Sequence, residues 1–118
     1  MSDRPVDLLI EDILERIQRI GRDARDLDHD AFVQDEKTAD AVVRSLSVIG
    51  EAARRVPQAF ADRHPGILWR QIVGLRNRIV HDYFNVDLDL VWQIVRDELP
   101  GLESELARLK HRAEPGGE

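Results

Sequence analysis

The sequence predicts an all-α protein, an up-and-down bundle of four to five helices whose last helix is kinked. Apolar residues recur at intervals of three and four over long segments, as they do on one face of a helix. No segment alternates between apolar and polar residues as a half-buried strand does, and the connections between periodic segments are short. With 118 residues, the chain is expected to form a single domain over residues 1–112, followed by a flexible tail at 113–118.

The first periodic segment runs from about Arg4 to Leu27 and predicts a long helix. Pro5 suits the first turn of that helix, where a missing N–H costs nothing. The polar run at 26–30 then interrupts the pattern and predicts a turn. We do not expect a metal site there, because the run lacks the glycine and the distant glutamate of a calcium loop.

The second long helix is predicted to start at the cap Asp35 and to end near Arg55. Its apolar face is broad, which indicates burial on more than one side and a central place in the bundle. Arg44, Glu51 and Arg55 share one face of this helix at intervals of seven and four. They form either an exposed ion pair or a polar strip that faces a site on a neighbouring helix.

The remaining elements are a short helix, a third helix and a fourth helix. The short helix is predicted at 58–63, and the third runs from about Leu68 to Tyr83. Asp87 is the predicted cap of the fourth helix, which should kink or break at Pro100 because proline removes a helical hydrogen bond. Trp69 and Trp92 are expected either in the core or at an interface between subunits.

Composition narrows the functional classes. The chain has no cysteine, no apolar run long enough to cross a bilayer and no apolar signal core, so we expect a cytoplasmic protein without disulfides. The net charge of −6 argues against a nucleic-acid partner, but residues 42–81 contain seven arginines and only two acidic residues. Arginine suits bidentate phosphate contacts, although such a group can also be a solvated face.

Polar groups that can bind phosphate or move protons are concentrated at residues 75–83: Arg76, Asn77, His81 and Tyr83. On a continuous helix Asn77 and His81 share a face, and His81 lies in the last turn, where exposed carbonyls favour a cation. Arg76 and His81 then point roughly 140° apart. They converge only if the long side chain of Arg76 wraps round the helix or if the helix loosens near its end. A capping or surface histidine is the alternative interpretation of His81.

The motif Arg76-Asn77-x-x-x-His81-x-Tyr83 resembles the R-x4-H-x-Y motif of the HEPN superfamily, in particular its HepT-like branch. The resemblance covers nearly the whole chain. It continues in the second helix from Asp35, in the segment from Trp69, and in Val91-Trp92. Leu68 departs from the pattern, because a proline is expected before the tryptophan. This departure affects only the start of that helix.

The resemblance implies the toxin of a two-gene toxin–antitoxin system, a homodimer partnered by an MntA-like nucleotidyltransferase antitoxin. The expected activity is a metal-independent endoribonuclease without a cofactor, in which the 2′-OH of RNA attacks the adjacent phosphate. Arg76 and His81 are the expected catalytic residues, because this route needs a cation at the phosphate and a group that moves protons near neutral pH.

In this mechanism Asn77 is expected to orient His81 or bind phosphate, and Glu51 with Arg44 to support the site from the second helix. The resemblance makes Tyr83 the residue to which the antitoxin attaches AMP, and the alternative is that Tyr83 packs against the bundle. A second hypothesis is a non-catalytic HEPN module that binds nucleotide or assists a nucleotidyltransferase. A third is a helical dimer with only a structural role.

Overall fold

The computed structural model describes the backbone of residues 4–81 and 85–113, and the side chains of all of these except 111–113. Within those ranges the regular elements are all helical, apart from one isolated antiparallel β-bridge between Val80 and Val86. The predicted all-α class is therefore confirmed. The elements are α1 (Val6–Asp23), α2 (His29–Gln34), α3 (Glu36–Arg54), α4 (Gln58–Arg63), α5 (Trp69–Val73), α6 (Leu75–Ile79), α7 (Leu88–Gln93), a π turn (Ile94–Glu98) and α8 (Leu99–Ala113).

α1 and α3 form the main helix pair, and α3 also contacts α2, α5 and α6, so its predicted central place is confirmed. Asp35 caps α3 as predicted, because its side chain accepts a hydrogen bond from the backbone N–H of Thr38 at 3.1 Å. The core includes the fully buried side chains of Ile13, Leu46 and Ile49. Long apolar stripes of helical period therefore do form the bundle's interior.

α2 begins at the end of the predicted polar turn at 26–30 and continues through residues 31–34, for which the sequence predicted no element. Asp28 starts the helix by accepting a hydrogen bond from the N–H of Ala31 at 2.8 Å. Phe32 is completely buried and anchors α2 to the core. The chain reaches this cap through Asp26, whose φ of 68° lies in the left-handed region that aspartate tolerates better than most residues. A helix of 6 residues is too short to show periodicity.

The predicted third helix is shorter than expected and is divided. α5 and α6 meet at Gly74, and the helix ends at Ile79 instead of continuing to Tyr83. Val80 is already extended, with φ −105° and ψ 112°. Ile79 is 0% exposed, so the last helical residue is fixed in the core just before the chain changes direction.

The last helix deviates from α-helical geometry one turn earlier than predicted, in the π turn Ile94–Glu98. The N–H of Leu99 donates to the carbonyl of Ile94, five residues back. Pro100 follows directly. Its nitrogen has no hydrogen to donate to the carbonyl four residues earlier, and in a regular α-helix its ring would clash with that carbonyl. The wider π turn relieves this clash and lets the chain continue into α8.

Both tryptophans pack within the chain's own bundle. Trp92 lies against Phe32 with ring centroids 5.2 Å apart. The indole N–H of Trp69 donates to the carbonyl of His64 at 3.1 Å. Among the helices that the structure describes, none combines the length and hydropathy needed to span a membrane. The predicted tail at 113–118 lies outside the described residues except for Ala113, which ends α8.

Candidate active site

Arg76 and Asn77 lie on the solvent side of α6, the short helix that precedes the change of direction. The buried side chains of Leu75 and Ile79 hold this helix against the core, while Arg76 and Asn77 are exposed. The carbonyl of Arg76 accepts the N–H of Val80 at 3.0 Å, which closes the final turn of the helix. The backbone of Arg76 is therefore fixed, and its side chain is accessible.

His81 lies beyond the helix, in a short antiparallel pairing. Its N–H donates to the carbonyl of Asn85 at 2.9 Å, and the N–H of Asp87 donates to the carbonyl of Ile79 at 2.7 Å. These two hydrogen bonds flank the Val80–Val86 bridge. The prediction that His81 occupies the last helical turn and shares a helical face with Asn77 is wrong. The 140° divergence from Arg76 does not apply either, because it assumed a continuous helix.

Asp87 is the described side chain that contacts the imidazole of His81. One carboxylate oxygen, Oδ2, lies 3.2 Å from Nε2 of His81, while Oδ1 accepts the N–H of Leu90 at 3.0 Å and caps α7. The Leu90 amide, and after it the His81 imidazole, hold the pKa of Asp87 below its ordinary value. The sequence predicted Asp87 as a helix cap only. The contact of Asp87 with His81 depends on the register of the Val80–Val86 bridge. The separation of six residues in sequence does not reveal that register.

The start of α7 is also tied to α2. Nε2 of His29 lies 2.5 Å from a carboxylate oxygen of Asp89, and Nδ1 lies 3.1 Å from Asp30. The hydrogen bonds to Asp89 and then to Asp30 raise the pKa of His29. The start of α7, which Asp87 caps, is therefore held by two interactions: the hydrogen bond from the N–H of Asp87 to Ile79, and the contact of Asp89 with His29.

The two arginines of α6 have different surroundings. The guanidinium of Arg78 forms two hydrogen bonds to Glu98 in the π turn, at 3.0 and 2.7 Å. No carboxylate among residues 4–81 and 85–110 pairs with Arg76. Arg78 thus connects α6 to the π turn, whereas Arg76 is available to bind an anion.

Glu51 and Arg44 are not brought to this site within one protomer. The carboxylate of Glu51 binds Arg54 at 2.9 Å and Arg55 at 3.8 Å on its own helix. It also lines a cleft of about 360 Å³ between α1 and α3, and the described lining contains no residue of α6 or of 80–87. Arg44 is exposed on α3. The exposed ion pair is therefore present, while the supporting roles stay predictions.

Tyr83 lies outside the described residues. In the part of the chain whose side chains are described, no group of three histidine, aspartate or glutamate side chains could hold a metal ion. The site as described therefore consists of an exposed arginine, an amide and a histidine bound to a carboxylate. An exposed guanidinium can bind a phosphate, and an imidazole can take up or release a proton near neutral pH.

A family model described as ribonuclease HepT-like matches residues 10–109, which include the whole of this site. The chain belongs to the HepT-like family. The resemblance inferred from Arg76, His81 and their surroundings is confirmed. No solved structure matches the chain.

Relatives of the HepT-like chain are similar along most of their length. A Thermococcus cleftensis protein named as a probable ribonuclease HepT is 37% identical over 86% of this chain and 92% of its own. A Methanocaldococcus jannaschii protein named as a candidate RNase is 36% identical over 90% of this chain and 97% of its own. A further candidate RNase, from Caldanaerobacter subterraneus, is 31% identical, with 85% of this chain and 89% of the relative covered.

Proposed function

We propose that this HepT-like chain is a metal-independent endoribonuclease. The observation that carries the proposal is the pair of exposed side chains on either side of the buried Ile79: Arg76 with no described acidic partner, and His81 bound to a carboxylate. The names of the relatives, which give them as ribonucleases, support the same substrate class.

In the proposed reaction, the 2′-oxygen of RNA attacks the adjacent phosphorus, and His81 takes the proton from the 2′-OH as the new P–O bond forms. The bond from phosphorus to the 5′-oxygen breaks, and this oxygen leaves with a proton from water, while the proton on His81 returns to the hydroxide that remains. The products are a 2′,3′-cyclic phosphate and a free 5′-OH, so the reaction consumes no co-reactant. Arg76 stabilises the negative charge that develops on the phosphate oxygens.

Asn77 follows Arg76 on the exposed side of α6 and is proposed to orient His81 or to bind a phosphate oxygen. Arg44 and Glu51 contact neither Arg76 nor His81 in one protomer. A supporting role for them therefore requires a second copy of the chain or an RNA that spans both regions. We propose a homodimer, for which sedimentation measurements would give twice the 13.5 kDa of the chain.

The test is cleavage of RNA by purified protein in excess chelator. We expect the wild-type protein to produce cyclic phosphate and 5′-OH ends. His81→Ala and Arg76→Ala should each reduce kcat by roughly 100-fold or more, the usual contribution of a proton-transfer group or of a donor at a developing negative charge. Arg22→Ala is the matched control, because Arg22 is an exposed arginine on α1, and it should retain full activity.

Two outcomes would contradict the ribonuclease proposal. One is loss of all wild-type cleavage in chelator, which would require a metal. The other is full activity in His81→Ala, which would leave the non-catalytic HEPN module as the better hypothesis.

We also propose that the chain is a cytoplasmic toxin neutralised by adenylylation of Tyr83 by a partner MntA-like nucleotidyltransferase. Tyr83 is two residues from His81 in sequence, and an added AMP brings bulk and negative charge. A negative group beside a phosphate-binding site opposes RNA binding by repulsion. Growth arrest on induction, relieved by Arg76→Ala, separates this toxin from a non-catalytic module, since a module that only binds a partner does not need a catalytic arginine.

A further inference from the structure

We propose that Asp87 is a positioning residue for His81: it holds the hydrogen on Nε2, so that Nδ1 is the nitrogen that accepts the proton from RNA. The first half of this inference concerns the geometry of the folded protein alone. The second half, the catalytic consequence, rests on the proposed ribonuclease function.

The tautomer follows from the acceptor character of the carboxylate. Oδ2 of Asp87 lies 3.2 Å from Nε2 of His81, and Oδ1 is already engaged by the N–H of Leu90. An ionised carboxylate has no hydrogen to donate, so the imidazole must donate through Nε2. In the neutral ring only one nitrogen carries a hydrogen, and Nδ1 is therefore left with the free lone pair.

The backbone, rather than the ion pair, places these two side chains together. The side chains are 63% and 33% exposed, and solvent screens an ion pair this accessible so that it contributes little on its own. In an antiparallel pairing, alternate residues point to the same face. The Val80–Val86 register therefore makes His81 and Asp87 diagonal neighbours on one face.

Three further contacts fix the carboxylate. The N–H of Asp87 donates to the carbonyl of the fully buried Ile79. Its Oδ1 caps α7, and the first turn of α7 is bound to α2 through Asp89 and His29. A carboxylate held in this way can orient a ring without moving itself, which is how supporting residues contribute to a site.

Asp87→Asn separates the positioning role from the capping role. Asparagine caps helices about as well as aspartate, so Oδ1 can still accept the N–H of Leu90. The remaining NH₂ group then faces Nε2 as a donor, which favours the tautomer with hydrogen on Nδ1. Asp28→Asn is the matched control, because Asp28 caps α2 in the same way through Ala31 and has no described histidine partner.

The first readout is the tautomer itself, measured by long-range ¹H–¹⁵N spectra of labelled full-length protein above the pH at which the ring titrates. We expect the Nε2–H form of His81 in the wild-type protein and in Asp28→Asn. Asp87→Asn should show an increased population of the Nδ1–H form. A wild-type ring with hydrogen on Nδ1, or identical populations in Asp87→Asn, would overturn the inference.

The second readout is the kinetics of RNA cleavage. Asp87→Asn should lower kcat by about 10-fold with little change in KM, because proton transfer and not RNA binding is affected. An unchanged kcat together with an altered tautomer would refute the catalytic half. If the wild-type protein cleaves no RNA, the proposed function fails, while the spectra still decide the geometric half.

Discussion

At the scale of single residues, Arg76 and Arg78 are close in sequence and of the same type but have different binding partners. Both belong to α6, a helix of 5 residues, but they point to different sides of it. Glu98 takes up the guanidinium of Arg78 through two hydrogen bonds, which also raise the pKa of Arg78. Arg76 has no such partner among the described residues. The difference in partners separates a structural arginine from one that can bind substrate.

This difference predicts that replacing Arg78 lowers the stability of the protein more than replacing Arg76 does. Arg78→Ala should lower the free energy of unfolding by about 1 kcal/mol, the upper range for a partly exposed ion pair, because Glu98 loses its partner. Arg76→Ala should stay within about 0.5 kcal/mol of the wild-type value, as exposed substitutions usually do. Urea unfolding of both variants measures this. Equal destabilisation by the two substitutions would show that Arg76 also has a structural partner.

At the scale of elements, the position of α5 and α6 depends on how closely α3 approaches them. Gly50 on α3 faces the backbone of α5, and a Cβ atom built there would lie 3.1 Å from the carbonyl oxygen of Ile72 and 3.4 Å from that of Val73. Backbone atoms cannot move aside as a flexible side chain can. The glycine therefore sets the distance between the central helix and the segment that leads to Arg76.

Gly50→Ala is expected to destabilise the fold by about 1 kcal/mol, since overpacking outweighs the helical preference for alanine. Gly21→Ala on α1 is the matched control, because a Cβ atom there meets nothing within 4 Å. That variant should gain up to about 0.5 kcal/mol from the same helical preference. The thermal unfolding midpoints of the two variants should move in opposite directions. A higher unfolding midpoint for Gly50→Ala would mean that α5 can move away from α3 to make room for the added methyl group.

At the scale of the whole molecule, charge is distributed unevenly. The chain carries a net charge of −6, yet the stretch from Val42 to His81 is rich in arginine. Four arginines of that stretch, Arg44, Arg63, Arg70 and Arg76, are exposed and have no acidic partner among the described residues. Arginines without acidic partners can bind phosphate even though the net negative charge of the chain opposes nucleic-acid binding in general.

The proposed control by adenylylation adds negative charge to the arginine-rich part of the sequence. Co-expression with an MntA-like nucleotidyltransferase should increase the intact mass of the chain by one or more AMP groups and abolish RNA cleavage. Tyr83→Phe should keep its unmodified mass in the same experiment and stay active, because phenylalanine has no hydroxyl to modify. An unshifted wild-type mass, or a shifted mass in Tyr83→Phe, would exclude Tyr83 as the modified residue.

Much of the fold was predictable because the apolar residues of long amphipathic helices recur at regular intervals in the sequence. The stripes of α1 and α3, the cap at Asp35 and the cap at Asp87 all follow from local residue preferences. α2 could not be predicted in this way, since its helix is held by one cap and by the buried Phe32 instead of a repeating pattern.

The sequence selected candidate residues for the site, but it did not predict their geometry. Arg76 and His81 could be selected by chemical type and spacing, whereas the end of the helix at Ile79 could not. That end depends on the pairing of Val80 with Val86, two β-branched residues that suit extended backbone but also occur in helices. The contact of His81 with Asp87 is a result of that pairing, so it became visible only in three dimensions.

The π turn gives the last helix one residue more than an α-helix of the same length needs. Ile94 and Leu99 are five positions apart, and both are buried, at 0% and 4% exposure. Removing one residue between them would turn the five-residue hydrogen bond into an ordinary four-residue one and leave Leu106 and Leu109 facing the core much as before. It would also restore the clash that Pro100 makes in a regular α-helix. In evolutionary terms, the loss of one residue here should be tolerated only together with the replacement of Pro100.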